Sequence, residues 1–510
     1  MKKNSFGLIA TTLALAFTCF PVVAEPRLPN IVILYADDMG YGDLGANNSE
    51  SKIPTPHLDK LAEQGMRFTD GHSSSGICTP SRYALLTGRF HWRKFHGIVQ
   101  SFGPPSFDEK ELTMPELLKT KGYRTACIGK WHLGWNWSDV KKAKATPKKG
   151  TAKRNPVYAP EDFDWSKPIS GGPLSHGFDY YFGDDVPNFP PYAWFENDRV
   201  ITEPTAPLKI TPETKEGRWE ARPGPMAADW DFYDVVPTLG KRAASWVAEQ
   251  KGKDGPFFLY VPFNSPHAPI VPNDEFIGKS KADGYGDFVY QTDHICGGVL
   301  KALEENGFAD NTIVIFTADN GAEAYCLKRI QKYDHESSGQ FRGMKRDIYE
   351  GGHRVPFIVR WPGKVKAGSV NDGIISQVDI MATLAAIVGA EVPKDTAHDS
   401  FNQLPTLLGE TPSARTEIVH NTYKDAYVVR QGDWLLVDRK GVRGQHAGAH
   451  RKVPKWYDEK YGYTMSETPG ELFNMAKDPS QKNNLYEQMP DKVEELKALL
   501  KKIRAKGQVR

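Results

Sequence analysis

One segment of the sequence combines a possible nucleophile with a binding site for an anion. Cys78 is followed by Thr79-Pro80-Ser81-Arg82 and then by a helical run, so its side chain is expected at or near a helix N-terminus. Backbone N–H groups and the helix dipole favour negative charge at that end. A cysteine there could have a lowered thiol pKa, but a free reactive thiol has little protection from oxidation outside the cell. The residues therefore predict an anion pocket beside Cys78 and leave the state of its sulfur open.

Two other segments carry oxygen ligands for a metal ion. Asp37-Asp38 follow the apolar run at residues 31–35, and Asp319-Asn320 follow a similar run at residues 313–316. Continuous apolar runs of this length are typical of buried strands. Four hard oxygen ligands suit Ca²⁺ or Mg²⁺ better than zinc. Taken alone, Asp37-Asp38 is equally compatible with a turn or a helix cap, and it is the second pair that favours a metal site.

The elements that position these residues alternate along the chain. Further apolar strands are predicted at residues 257–261 and 357–359. Helical patterns lie between the strands, at residues 58–64, 114–121, 240–251 and 290–306. This alternation predicts an α/β fold in which a large, mostly parallel sheet is covered by helices on both faces. Functional residues are then expected at the carboxyl ends of the strands.

The character of the sequence changes beyond about Gly409. Two short apolar runs, at residues 427–430 and 434–437, flank Gln431-Gly432-Asp433 and predict a β-hairpin, and residues 491–505 predict a charged amphipathic helix. We therefore predict a main domain over residues 25–409 and a smaller C-terminal α+β subdomain with an antiparallel sheet over residues 410–510.

The N-terminal residues predict export. Lys2-Lys3 precede an apolar run that ends at Phe20, and Val22-Val23-Ala24 supply small residues for cleavage. This pattern is typical of a signal peptide, here residues 1–24, and the apolar run is shorter than the ~20 residues that a membrane span needs. We therefore expect an exported protein, periplasmic or secreted, without a membrane span.

The charge and the cysteine content exclude proteins that coat nucleic acid and proteins held together by many disulfides or a zinc site. The 510 residues carry 65 Lys+Arg and 63 Asp+Glu, a formal charge of +2, which is too small for a protein that coats nucleic acid. The cysteines beyond the signal peptide lack the spacing of a zinc site or a dense disulfide framework. Cys127 and Cys296 lie in apolar or helical patterns and are predicted to be small core residues.

Three segments have a biased composition. Residues 141–154 and 439–455 are basic and contain no Asp or Glu, and they are either solvated loops or binding sites for an anionic substrate. Residues 186–195, together with the insertion at 135–179, are rich in aromatic side chains. These side chains could stack on sugars or simply pack a long loop onto the body.

The cysteine segment also carries a family resemblance. Cys78-Thr79-Pro80-Ser81-Arg82 with Thr87-Gly88-Arg89 resembles the signature of type I, formylglycine-dependent sulfatases. Further segments of the family follow in its order: Gly122-Tyr123-Arg124-Thr125, Gly129-Lys130-Trp131-His132-Leu133-Gly134, Pro266-His267-Ala268-Pro269, Thr317-Ala318-Asp319-Asn320-Gly321, Arg342-Gly343-Met344-Lys345 and Tyr349-Glu350-Gly351-Gly352. The sequence is thus similar to arylsulfatase-like enzymes and to exported bacterial carbohydrate sulfatases. The resemblance implies an alkaline-phosphatase-like sulfatase fold, with residues 25–409 as the catalytic domain.

The resemblance implies a role for each site residue. Cys78 would be oxidised to formylglycine by a formylglycine-generating enzyme. One Ca²⁺ would be held by an oxygen of residue 78 and by four further ligands, Asp37, Asp38, Asp319 and Asn320. The cations implied to contact sulfate are Arg82, Lys130 and Lys345. His132 would lie beside the formylglycine hydrate, and His267 would protonate the leaving oxygen.

The implied reaction is the hydrolysis of a sulfate ester through a covalent sulfo-formylglycine intermediate, with release of inorganic sulfate. Predicted export and the basic segments favour a sulfated carbohydrate, either a polysaccharide or its oligosaccharides. The alternatives are a small aryl sulfate, a phosphate or phosphonate ester, and a non-catalytic protein that only binds carbohydrate. The sequence lacks a second Asp and His cluster for a two-metal centre, which argues against phosphate ester hydrolysis.

Overall fold

The computed structural model describes residues 27–151, 155–208, 217, 220–423, 426–439, 453–464 and 467–506. The predicted signal peptide, residues 152–154 of the first basic segment and residues 440–452 of the second lie outside the described residues. The strands in the described part are β1 (Asn30–Ala36), β2 (Met66–Phe68), β3 (Gly71–His72), β4 (Arg124–Ile128), β5 (Tyr180–Gly183), β6 (Phe195–Glu196), β7 (Arg199–Val200), β8 (Ala206–Pro207), β9 (Pro225–Met226), β10 (Phe257–Pro262), β11 (Thr312–Ala318), β12 (Phe357–Arg360), β13 (Ser369–Asn371), β14 (Ile375–Ser376), β15 (Glu417–Tyr423), β16 (Ala426–Gln431), β17 (Trp434–Val437) and β18 (Glu471–Asn474). The α-helices there are α1 (Pro56–Glu63), α2 (Cys78–Thr87), α3 (Met114–Lys119), α4 (Val235–Ala248), α5 (Asp283–Glu305), α6 (Cys326–Tyr333), α7 (Glu350–His353), α8 (Ile380–Val388), α9 (Leu404–Leu407), α10 (Lys455–Tyr461) and α11 (Pro490–Ala505).

The main sheet has the strand order β13-β2-β12-β11-β1-β10-β4-β5-β6-β7. Its central strands, β11, β1, β10, β4 and β5, are all parallel. The strand predicted at residues 357–359 forms as β12, but it runs antiparallel to both β11 and β2. The prediction of a large, mostly parallel sheet is confirmed.

Helices cover both faces of this sheet. Alternate residues of a strand point to opposite faces, and in β1 both sets are apolar and need to be buried. Val32 and Leu34 of β1 pack in a core with α1, α4 and α5. Ile31 and Ile33 pack in a second core with α2, α3 and α8. Cys127 and Cys296 are fully buried, one in each core, which confirms their prediction as core residues.

The C-terminal region forms a separate antiparallel sheet, β15-β16-β17-β18. The predicted hairpin is β16 and β17, and the predicted C-terminal helix is α11. The core beneath this sheet includes Phe90 and Trp92, which follow α2 in the main body. The predicted domain boundary, between residues 409 and 410, lies in the connection from α9 to β15.

The aromatic segments pack into the body of the protein. Trp135, Trp137 and Phe163 belong to the second core, and Phe189 and Tyr192 are 3% and 1% exposed. Of the two alternatives that the sequence left open, stacking on sugars and packing onto the body, packing explains where these side chains lie. The lysines of the first basic segment are exposed, at positions 141, 142, 144, 148 and 149. None of the helices in the described ranges is both long and apolar enough to span a membrane.

A buried ion pair fastens the C-terminal region to the main body. Arg415 donates hydrogen bonds from Nε (2.9 Å) and Nη2 to the carboxylate of Asp379, and another to the carbonyl oxygen of Asp399 (2.7 Å). Both members of the pair are at most 2% exposed. We expect Arg415→Met to lower the free energy of unfolding by about 3–5 kcal/mol, because it leaves the Asp379 charge buried without its cation. The measurement is the urea midpoint followed by tryptophan fluorescence.

The matched control is Lys301→Met, which removes the exposed ion pair between Lys301 and Glu305 within α5. An exposed pair contributes at most about 1 kcal/mol. Equal shifts of the urea midpoint in the two variants would show that the buried pair does not fasten the C-terminal region.

Candidate active site

Two adjacent strands bring the predicted metal ligands together. In the register of β1 and β11, Ala36 pairs with Ala318, so Asp37-Asp38 and Asp319-Asn320 leave the sheet side by side. The backbone N–H of Asp38 donates to Asp319 Oδ1 at 3.1 Å, and Asn320 Nδ2 donates to Asp38 Oδ1 at 2.7 Å. All four side chains are fully buried. The structure thus places these predicted ligands in one cluster at the carboxyl edge of the sheet.

Three cations compensate the three buried carboxylates. Lys130 Nζ lies 2.5 Å from Asp37 Oδ2, and Lys345 Nζ lies 2.5 Å from Asp38 Oδ1. Arg82 directs Nε (3.1 Å) and Nη2 (2.8 Å) to one oxygen of Asp319 and is itself fully buried. Ammonium and guanidinium groups in direct contact offset the cost of burying carboxylates.

The donor set fits a hard divalent cation. Asp37 Oδ1, Asp38 Oδ2 and Asn320 Oδ1 are buried and have no hydrogen-bond partner among the described residues. Buried polar atoms without partners are rare unless they bind a ligand or water. Burial and the nearby charge of Asp37 raise the pKa of Asp319 to about 7. A cation would satisfy the three oxygens and keep Asp319 ionised, and oxygen-only ligands favour Ca²⁺ or Mg²⁺.

Cys78 is the first residue of α2, and the residue is 3% exposed. Burial raises the pKa of the thiol, although Lys130 and Lys345 act in the opposite direction. The helix N-terminus therefore does not produce a reactive thiolate here. The same helix places Arg82 one turn later, on the side of the carboxylate cluster, as the spacing predicts.

The segment that follows β4 places Lys130 and His132 in the site. Gly129 has φ 139°, and a Cβ at this position would lie 2.0 Å from the carbonyl oxygen of Pro262 at the end of β10. Only glycine permits this close approach of the two strand ends. Lys130 N donates to the same Pro262 oxygen at 2.8 Å, so the backbone fixes where the ammonium group enters the site.

The hydrogen bonds of His132 define its proton positions. Its Nε2 lies 3.0 Å from the carbonyl oxygen of Val99, which can only accept, so Nε2 carries the hydrogen. Its Nδ1 has no partner among the described residues and bears the lone pair in the neutral ring. Burial, followed by the charge of Lys130, lowers the pKa of His132 well below its usual value. His132 is therefore a neutral imidazole with an available basic nitrogen.

His267 lies on the other side of the cluster. Its Nδ1 donates to the carbonyl oxygen of Ala268 at 2.6 Å, and its Nε2 lies 3.7 Å from Asp38 Oδ2. Burial lowers the pKa of His267 to about 4, whereas Asp38 raises the pKa of Lys345. In the neutral ring Nδ1 carries the hydrogen, so His267 Nε2 is unprotonated and the Lys345 ammonium is the group beside Asp38 that holds a proton.

Sequence reasoning missed two buried carboxylates that border the site. Asp184 and Asp185 follow β5, and their backbone carbonyls accept hydrogen bonds from Trp131 N (3.2 Å) and His132 N (3.0 Å). Burial raises their pKa values to about 6 and about 7. One oxygen of each, Oδ1, has no partner in the described structure. In the sequence these two residues could have been recognised as Asp37-Asp38 were, as a pair of carboxylates directly after a strand.

Comparison with known proteins identifies the family. The family profile of the sulfatases matches residues 29–390, and the C-terminal profile of N-sulphoglucosamine sulphohydrolase matches residues 339–506. The N-acetylgalactosamine-6-O-sulfatase of Bacteroides thetaiotaomicron is 33% identical over 94% of this chain and 93% of its own. The N-acetylgalactosamine-6-sulfatase of Mus musculus is 32% identical over 75% of this chain and 67% of its own.

A solved Bacteroides thetaiotaomicron structure, described in connection with the metabolism of multiple glycosaminoglycans, superposes with a TM-score of 0.77. It is 31% identical and covers 94% of this chain and 100% of its own. Sequence and fold agree with the resemblance seen in the Cys78 segment. The chain belongs to the sulfatase family.

Proposed function

We propose that this sulfatase hydrolyses sulfate esters on a sulfated carbohydrate and releases inorganic sulfate, with residue 78 converted to formylglycine and one Ca²⁺ bound. The observation that carries the proposal is the convergence of Cys78 with three buried carboxylates and three buried cations at one edge of the sheet. Two similar proteins are named for the 6-sulfate of N-acetylgalactosamine, which supports a sulfated sugar as the substrate class.

The charge balance explains how the site would bind sulfate. Asp37, Asp38, Asp319 and Asn320 are the residues that would hold Ca²⁺, together with an oxygen of residue 78. The bound ion would neutralise the carboxylates and polarise a sulfate oxygen as a Lewis acid. Lys130 and Lys345, which pair with Asp37 and Asp38 in the structure, would then direct their charge to the sulfate group. Arg82 would keep Asp319 in position through its two hydrogen bonds to one carboxylate oxygen.

The nucleophile needs a base, and His132 supplies one. Hydrated formylglycine provides two hydroxyls on one carbon, one to attack sulfur and one through which sulfate is later eliminated. The unprotonated Nδ1 of His132 accepts a proton from residue 78, and the Nε2–H bond to Val99 fixes the ring in that tautomer. Lys345 holds a proton for the leaving oxygen on the other side of the site, and His267 would share this role once its Nε2 is protonated.

The names of two relatives support a carbohydrate over a small aryl sulfate, since both are sulfatases of N-acetylgalactosamine. The aromatic side chains of residues 186–195 pack inside the body, so polar contacts rather than stacking would select the ligand. We further propose export, to the periplasm or outside the cell, from the signal-peptide pattern in residues 1–24. A formylglycine-generating enzyme would act as the partner during maturation.

The substrate class can be tested by measuring sulfate released from defined sulfated mono-, oligo- and polysaccharides, an aryl sulfate and a phosphonate monoester. We expect kcat/KM for the best sugar to exceed that for the aryl sulfate by at least about tenfold, since two hydrogen bonds to sugar hydroxyls that an aryl ring cannot make would contribute about 0.5–1.5 kcal/mol each. Preference for the aryl sulfate or the phosphonate would reject the sugar assignment. Sugar binding without turnover by fully matured protein would show a non-catalytic lectin.

The nucleophile can be tested at residue 78. Peptide mass spectrometry of active protein should show a residue lighter than cysteine that reacts with carbonyl reagents. Cys78→Ala should lower kcat by at least about 10³-fold, because the covalent nucleophile is lost, while the melting temperature changes little. Cys296→Ala, at a buried cysteine in α5, is the matched control and should retain activity. Full activity with an unmodified thiol at position 78 would contradict the proposal.

The ion can be tested at its ligands. Asp319→Ala removes a charged ligand, so calcium measured by elemental analysis should fall from one per chain, and activity should fall with it. A strong chelator should reproduce the loss in the unmutated protein, and added Ca²⁺ should reverse it. Asp293→Asn, at a buried carboxylate that caps α1, is the control and should keep its calcium. Undiminished activity in rigorously metal-free protein would refute the calcium site.

A further inference from the structure

A second group of buried metal-ligating side chains lies outside the active site. His72 in β3, His353 in α7 and His420 in β15 are at most 1% exposed. One ring nitrogen from each lies within 4.8 Å of those of the other two. These three histidines come from distant parts of the chain, and the proposed reaction uses none of them.

The hydrogen bonds of two of these rings leave bare nitrogen atoms facing each other. His72 Nε2 lies 2.6 Å from Asp70 Oδ1, and Asp70 is held ionised by Arg430, so this nitrogen carries the hydrogen. His353 Nε2 lies 3.2 Å from the carbonyl oxygen of Ile348 and likewise carries the hydrogen. In neutral rings both Nδ1 atoms are then unprotonated. They lie only 3.1 Å apart, so a proton or a bound cation between them would remove the repulsion of the two lone pairs.

His420 provides a third nitrogen ligand. Neither of its ring nitrogens has a hydrogen-bond partner in the described part of the chain, although the residue is 1% exposed. Its ring stacks on His353 with the centroids 3.6 Å apart and lies 4.9 Å from the ring of His72. A buried imidazole with two unsatisfied nitrogens costs free energy unless something binds it. One of its ring nitrogens lies within 4.8 Å of a ring nitrogen of each of the other two histidines.

We propose that His72, His353 and His420 form a second metal site, for a zinc-type transition-metal ion. Imidazole nitrogens select such ions over calcium. Two nitrogen ligands of a tetrahedral zinc ion, with bonds of about 2.0–2.1 Å, lie about 3.4 Å apart, close to the 3.1 Å between the Nδ1 atoms. Metal-bound histidines also commonly donate their other N–H to a carboxylate or a carbonyl, which are the roles of Asp70 and Ile348 here.

The position of this site indicates a structural role. Ser73 N, on the segment that leads to Cys78, donates to the carbonyl oxygen of His353 at 2.8 Å. Ser75 Oγ donates to the carbonyl oxygen of Asn421, the neighbour of His420, at 2.9 Å. An ion bound to the three histidines would therefore fasten the segment before Cys78 to the C-terminal sheet.

The test uses the whole mature protein, stripped by a chelator and then saturated with Ca²⁺ so that the oxygen site is filled. Titration with Zn²⁺ should show one tightly bound zinc per chain by elemental analysis. Co²⁺ should give the intense visible bands of a tetrahedral site with nitrogen ligands. In His420→Gln and in His353→Gln the zinc affinity should fall by at least about tenfold. His176→Gln, at a buried histidine outside this group, is the control and should bind zinc as the unmutated protein does.

Two results would overturn the proposal. One is the absence of zinc binding and of tetrahedral cobalt bands in the calcium-saturated, unmutated protein, which would mean that a proton bridges the two rings. The other is an unchanged zinc affinity in a folded His420→Gln protein. The cobalt spectrum of the unmutated protein does not depend on whether a variant folds, and neither result depends on catalysis.

Discussion

The structure depends on three carboxylates buried at the adjacent ends of β1 and β11. Removing each of these charges from water costs several kcal/mol, and the cost is tolerable only because a cation contacts every one of them. The cations come from three different elements: Arg82 from α2, Lys130 from the end of β4 and Lys345 from the loop before α7. The carboxylate cluster therefore fixes where these three elements meet.

The balance between the charges of these carboxylates and cations links the stability of the protein to its function. Without an added ion, three negative and three positive side chains neutralise each other. A divalent ion in the carboxylate cluster would leave the site with excess positive charge in a place shielded from water, where electrostatic attraction to a sulfate group is strong. Burial, followed by the charge of Lys130, lowers the pKa of His132 and keeps its ring neutral, so its Nδ1 would be free to accept a proton. The groups that allow the cluster to be buried are thus the groups that would bind substrate.

Much of this arrangement could be predicted from the sequence. β1 and β11 are continuous apolar runs, so their ends, and the ligands there, were predictable. The first turns of α4 and α5 were missed, because Pro237 in one and Gly284 and Gly286 in the other are weak helix formers. In α5, Gly286 is accommodated by close packing, since a Cβ there would lie 2.4 Å from Ser280 Oγ.

Other features leave a weak local signal or none. β5 alternates half-buried and buried residues and has no continuous apolar run, so the significance of Asp184 and Asp185 after it was missed. The histidines of the second proposed site come from β3, α7 and β15, and no spacing along the chain relates them. Only the tertiary structure brings such residues together. The antiparallel direction of β12 is likewise set by its neighbours in the sheet, not by its own residues.

The carboxylate cluster has the donor set of a site built around an ion. The most direct test is a crystal structure of the mature, active protein, with anomalous scattering data that identify calcium. We expect one calcium peak about 2.3–2.6 Å from oxygens of Asp37, Asp38, Asp319 and Asn320, with Lys130 and Lys345 no longer held solely by Asp37 and Asp38. Active crystals with no ion in the cluster, and with both lysines still paired to these carboxylates, would contradict it.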